Sequence, residues 1–200
     1  MALPPFDADG LLPPGDYPMT FEELRKSHLV RRSLTSGDGW DEAWRLRLVD
    51  NLEVLVRQLW AVGIANVFID GSFVEDKDHP NDIDGYFECD VMHLATGDLV
   101  RQLNALDQHK VWTWDPKSRK PSTISAKKQL PMWHRYQIEL YPHYGQNSGI
   151  KDPFGNELQF PSAFRLSRRS QHQKGIIKIL ESEHVHDQDR ERISGMPQTS

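Results

Sequence analysis

Short runs of β-favouring apolar residues punctuate the chain, and turn-forming or charged residues bound each of them. Val67-Phe68-Ile69 ends at Asp70-Gly71-Ser72, the pattern of a buried strand that delivers its C-terminal end to a tight turn. A polar stretch through Lys77, His79, Pro80 and Asn81 leads to a second strand-like run, Asp82-Ile83-Asp84-Gly85-Tyr86-Phe87. Side chains alternate along a strand, so Asp82 and Asp84 share one face while Ile83 and Phe87 take the other. A third run, Trp133 to His143, alternates Tyr136, Ile138 and Leu140 with Arg135, Gln137 and Glu139, which predicts one strand that Pro142 stops. Glu139 is thereby presented like Asp82 and Asp84.

Helical periodicity fills the intervals. Thr20 with Glu23 forms a capping box ahead of a short helix through about Arg31. From Trp40 or Asp41 to Ala61, the residues Trp44, Leu48, Leu52, Leu55, Val56 and Leu59 trace an apolar stripe, with Gly63 as its cap. Trp40, Trp44 and Trp60 read as core at that spacing. Thr96 or Asp98 caps a helix carrying Leu99, Val100, Leu103 and Leu106, and Lys110 to Trp114 then reads as a strand. The turn signals at Asp152-Pro153 and Gly155-Asn156 precede Ile176, Ile177, Ile179 and Leu180, one more short strand or helix. The expectation is an α+β domain over residues 19–180: a small mixed sheet holding the Asp82 and Glu139 strands, with helices packed against it. Residues 1–18, with five prolines and two glycines, read as an extended surface arm. Residues 181–200 are polar without apolar period and read as a disordered tail.

Composition narrows the class. Two hundred residues with 38% hydrophobic content suit one domain with a real core. A net charge of −5 argues against a generally basic nucleic-acid surface and leaves room for local basic patches. Two such patches exist, the loop with Lys117, Arg119, Lys120, Lys127 and Lys128, and the segment with Arg165, Arg168, Arg169, Lys174 and Lys178. Each reads either as a solvated surface or as a phosphate-contacting one. The single cysteine, Cys89, excludes an internal disulfide and a zinc site of its own, and no run of ~18 apolar residues occurs. A soluble cytoplasmic protein without a membrane partner is expected.

The chemistry concentrates at Val67 to Glu88. Close carboxylates repel, so keeping Asp82 and Asp84 both ionised calls for a cation, and hard oxygens suit Mg²⁺ or Mn²⁺. Gly71 permits close backbone approach, and exposed N–H groups together with the Ser72 hydroxyl form a potential phosphate cradle. A metal beside a phosphate site points to a nucleotide.

Gly71-Ser72, nine intervening residues and then Asp82-x-Asp84 resembles the signature of the DNA polymerase beta-type nucleotidyltransferase superfamily, above all its small stand-alone bacterial members. The resemblance implies a nucleotidyltransferase-like mixed sheet, Mg²⁺ (or Mn²⁺) held by Asp82, Asp84 and a third carboxylate from a neighbouring strand, here Glu139. Gly71 and Ser72, with Lys77 as a weaker candidate, would bind the nucleotide phosphates. The implied activity is transfer of an NMP group from an NTP, ATP first, to a hydroxyl of a protein or RNA acceptor. The alternative is a non-catalytic, antitoxin-like regulator of the same fold that pairs with a toxin in a toxin-antitoxin or phage-defence system.

Overall fold

A computed structural model describes residues 3–31, 38–123 and 127–182. The fold is α+β, built on a five-stranded mixed sheet. In chain order come β1 (Asp16–Thr20), α1 (Phe21–Lys26), α2 (Glu42–Ala61), β2 (Val67–Asp70), a 3-10 turn over Gly71–Val74 and β3 (Ile83–Glu88). There follow α3 (Val91–Ala95), α4 (Asp98–Leu106), α5 (Pro131–Tyr136), β4 (Ile138–His143), β5 (Asn147–Lys151), β6 (Glu157–Gln159), α6 (Phe160–Ala163) and β7 (Ile176–Leu180). The sheet order is β1-β7-β2-β3-β4, and β5 and β6 form a separate hairpin. The outer pairs β1–β7 and β3–β4 are parallel, while β7–β2 and β2–β3 are antiparallel.

One sheet face carries the main core. Val67, Ile69, Ile83, Phe87, Ile138, Leu140, Ile177 and Ile179 pack there with Leu48, Leu52, Leu55 and Leu59 of α2. Asp41 caps α2 through a 2.9 Å bond from the Trp44 N–H. At the other end, Gly63 at φ +83° lets its N–H reach Trp60 O and the Ile64 N–H reach Leu59 O, satisfying two terminal carbonyls. The opposite sheet face is covered by a smaller aromatic cluster, Phe68, Tyr86 and Phe164 with Ile176. β2, covered on both faces, reads as a continuous apolar run from Val67 to Ile69, whereas β3 keeps an alternation that sets Asp84 between Ile83 and Gly85.

Several expectations are corrected. The last residues of the expected arm, Asp16 to Pro18, belong to β1, which pairs with β7; β1 lies at the sheet edge, where Pro18 needs to donate no ladder bond. The Leu11 and Leu12 side chains anchor the preceding residues, both fully buried. Helix α1 has the Thr20–Glu23 capping box but ends at Lys26, because the Ser27 hydroxyl donates to Leu24 O and accepts from the Leu29 N–H, diverting the backbone. Lys110 to Trp114 joins no sheet: the Trp112 backbone bonds Asn104 of α4 in both directions, and the Trp114 indole donates to Leu140 O. Trp133 to Tyr136 is helical, since Pro131 starts α5 at its first position and Gln137 ends it at φ +54°. Pro142 lies within β4 rather than stopping it, which an edge strand tolerates. The expected disordered tail lies outside the described residues, apart from Glu181 and Ser182.

Candidate metal and nucleotide site

Strand register brings the acidic residues together. Asp84 of β3 stands opposite Asp70 at the end of β2 and opposite Glu139 of β4, so three carboxyl groups lie in a row across three adjacent strands. The next row along the same face is aromatic: Phe68, Tyr86 and Tyr141. Phe68 stacks on Tyr86, and Phe164, just past α6, covers Tyr86. Asp82 immediately precedes β3. The sequence placed Asp82, Asp84 and Glu139 in one site, and the fold brings them to one end of the sheet. Asp70, which the sequence marked only as part of the turn, joins them.

Gly71 is where turn and carboxylates meet. Its φ of +77° is unfavourable for other residues, and a Cβ there would lie 2.7 Å from Asp84 Oδ2. The turn therefore packs directly onto the Asp84 carboxyl group. A cleft of about 220 Å³ opens at this point, lined by Asp70, Gly71, Ser72, Asp84, Phe164 and Arg168 among others. Arg169 also lines it, and neither arginine head group has a hydrogen-bond partner among the described residues. Asp82, Glu139 and Lys77 do not line the cleft; the Lys77 carbonyl accepts from Arg45 while its positive charge still acts on Asp82.

The electrostatics are those of crowded, poorly solvated acids. Burial, then the neighbouring Asp82 charge, raises the Asp84 carboxyl to about 7, against which Arg168 pulls down. Burial also raises Asp82, opposed chiefly by the hydrogen bond from the Trp133 indole. Asp70 is raised to about 6 by burial despite the Lys174 ammonium 3.0 Å away. That contact is an ion pair without hydrogen-bond alignment, and Asp70 Oδ1 accepts no hydrogen bond. Lys174, itself buried, donates to Gly71 O at 3.0 Å and to Glu75 at 2.7 Å.

A second buried cation secures the other side of the turn. Arg45 of α2 is fully enclosed and donates to four carbonyls, those of Leu29, Phe73, Glu75 and Lys77. Its guanidinium also lies 3.8 Å from the Trp40 ring centre. Three of these acceptors and Gly71 O belong to residues 71–77, so this segment is fixed from α2 by Arg45 and from the approach to β7 by Lys174. Sequence reasoning assigned neither role. Each partner lies far along the chain, and an isolated Arg in a helical stripe carries no local signal of burial.

The donor set suits a hard divalent cation, with carboxylate oxygens on neighbouring strands and mutual repulsion that a cation would relieve. Among the described residues, however, no group of three or more acidic, His or Cys side chains is arranged to hold a metal ion as it stands. Helix α5 explains much of this. Its Trp133 indole takes Asp82 Oδ2 at 2.8 Å, and the Leu130 N–H that precedes it takes Glu139 Oε1 at 3.0 Å. Glu139 also accepts from Arg119 and from the Tyr141 hydroxyl. The donor chemistry thus fits the cation, and Glu139 must exchange partners to contribute.

Among the described residues, no helix is long and apolar enough to cross a membrane. No curated protein matches the chain, and neither does any solved structure. One family model does match, over residues 4–180, and that span contains every residue of the site. The chain belongs to the DUF6932 family, a family of unknown function.

Proposed function

We propose that the protein is a nucleotidyltransferase-like enzyme that moves an NMP group from an NTP, with ATP first, to a hydroxyl of a protein or RNA acceptor. One observation carries this reading: the Gly71-Ser72 turn packs onto Asp84 at the point where β3 pairs in register with Glu139 of β4. That juxtaposition of turn, paired aspartates and third carboxylate on the adjacent strand is what the sequence resemblance calls for. Asp82 and Asp84, completed by Glu139, would hold Mg²⁺ or Mn²⁺. When bound, the metal would neutralise phosphate charge and lower the pKa of the acceptor hydroxyl.

The chain's own residues have separable tasks. Gly71 lets the triphosphate approach the backbone, and the Ser72 hydroxyl, which has no partner among the described residues, offers it a hydrogen bond. Arg168 and Arg169 supply positive charge at the same cleft. Arg45 and Lys174 hold the turn in place, and Lys174 also lines the cleft. Catalysis of this kind is positioning and charge stabilisation, so few other side chains need take part.

A non-catalytic regulator of the same fold, including an antitoxin-like partner of a toxin, is the second reading. It is favoured by the three donors that engage Glu139. Incubation with α-³²P-ATP, Mg²⁺ and cell extract separates the two. The enzyme reading expects label on a macromolecule with wild type and none with the Asp82→Asn, Asp84→Asn double variant. Nucleotide binding without transfer to any acceptor would favour the regulator.

A further inference from the structure

Glu139 is the one carboxyl group of the expected trio held by a cationic side chain. Arg119 Nη1 lies 3.3 Å from Glu139 Oε1, and Arg119 Nη2 lies 3.0 Å from the Tyr141 hydroxyl, which in turn donates to Glu139 Oε2. The same Nη1 donates to Lys128 O at 3.1 Å, across a loop whose neck is closed by paired 2.8 Å backbone bonds between Lys120 and Gln129. The guanidinium is therefore fixed at the base of the basic loop while spanning both Glu139 and Tyr141. Partial burial works against its charge, but Tyr141 and Glu139 hold it more firmly protonated than usual. Glu139 itself is only 5% exposed. A carboxylate offers about four lone-pair sites, and three are already used, one by the Leu130 N–H, which the start of α5 fixes. The two side-chain donors are the ones that can leave.

We propose that Arg119 is a latch that occupies the third-carboxylate position, so that a divalent cation and the Arg119 guanidinium compete for Glu139. The inference rests on the metal-site reading above and adds to it a built-in closed state. In that state Arg119 is bound to Glu139 and Tyr141 of β4; when it leaves, Glu139 gains free lone pairs. Metal loading and release of the Arg119 guanidinium are then one event. A salt-bridging arginine that served only the fold would have no such reciprocal link to metal binding.

The test is Mn²⁺ titration of the full chain, followed by calorimetry and water-proton relaxation, for wild type and Arg119→Gln. A hydrogen bond to a charged group is strong enough that its loss is expected to tighten Mn²⁺ about tenfold. Equal Mn²⁺ affinity in both proteins would overturn the latch and leave the metal site standing. Absence of Mn²⁺ binding in both would overturn latch and metal site together. If Arg119→Gln fails to melt cooperatively, Arg119→Lys replaces it. Lys keeps the charge but cannot span Glu139 and Tyr141 with one planar fork, so a smaller gain of about threefold is expected, and no gain overturns the latch.

Discussion

Replacing Asp84 by Asn should stabilise the metal-free protein above neutral pH. In the folded state the Asp84 carboxyl is raised from 3.8 to about 7, first by burial and then by the negative charge of Asp82. An acid whose folded value lies above its unfolded value keeps its proton longer in the folded state. Its favourable contribution is complete below about pH 4 and is lost as pH rises through about 7. A gap of this size corresponds to on the order of 4 kcal/mol. The carboxyl group opens onto the cleft, whose water screens it, so about half of that, ~2 kcal/mol, is the expected gain for Asn at pH 8. For a chain of this size that is roughly 4–8 °C in melting temperature. Urea unfolding followed by tryptophan fluorescence in EDTA, from pH 4 to pH 8.5, reads it directly. Wild type should lose stability relative to Asp84→Asn as pH rises, and the two should converge near pH 4. Mn²⁺ should then stabilise wild type and not the variant. Parallel pH curves, or a variant less stable than wild type at pH 8, would refute the reasoning: Asp84 would then be a satisfied structural acid.

Two further expectations follow from the turn. Gly71→Ala forces a side chain into a left-handed backbone position and within 2.7 Å of the Asp84 carboxyl, so it should cost on the order of 2 kcal/mol in urea unfolding and weaken ATP binding. An unchanged midpoint would mean that the turn does not pack on Asp84. Arg45→Met leaves four carbonyls without their donor and should cost on the order of 3 kcal/mol, with amide exchange accelerated over residues 71–77; a loss confined to α2 would contradict the clamp.

Much of the site was legible because a period of two is a local property. Val67 to Asp70 and Ile83 to Phe87 each place their acids relative to their own apolar residues, and Glu139 follows from Ile138 and Leu140 in the same way. The strand pairing that puts Asp84 between Asp70 and Glu139 is long-range and came only with the fold. Trp133 to Tyr136 was misread because four residues cannot distinguish a strand from one helical turn; Pro131 at the helix start was the informative residue. The β5–β6 hairpin carried a turn signal at Asp152 to Asn156 but too little apolar alternation to mark its strands. Arg45, Arg119 and Lys174 act mainly through partners distant in the chain, and nothing local distinguishes them from surface cations. The two basic patches accordingly divide by residue. Arg165 is bound bidentately to Asp16, Arg119 is tied to Glu139, Lys174 is buried at the cleft wall in an ion pair with Asp70, and Arg168 and Arg169 line the cleft.

In the proposed enzyme, Asp82, Asp84 and the Gly71-Ser72 turn form one metal and nucleotide site. Anomalous diffraction from crystals grown with Mn²⁺ and a non-hydrolysable ATP analogue tests it most directly. A manganese peak bonded to the carboxylates of Asp82 and Asp84 is expected, with Glu139 turned from Arg119 toward it and phosphate oxygens against Gly71 and Ser72. Manganese bound elsewhere, or a nucleotide seated away from this turn, would contradict it.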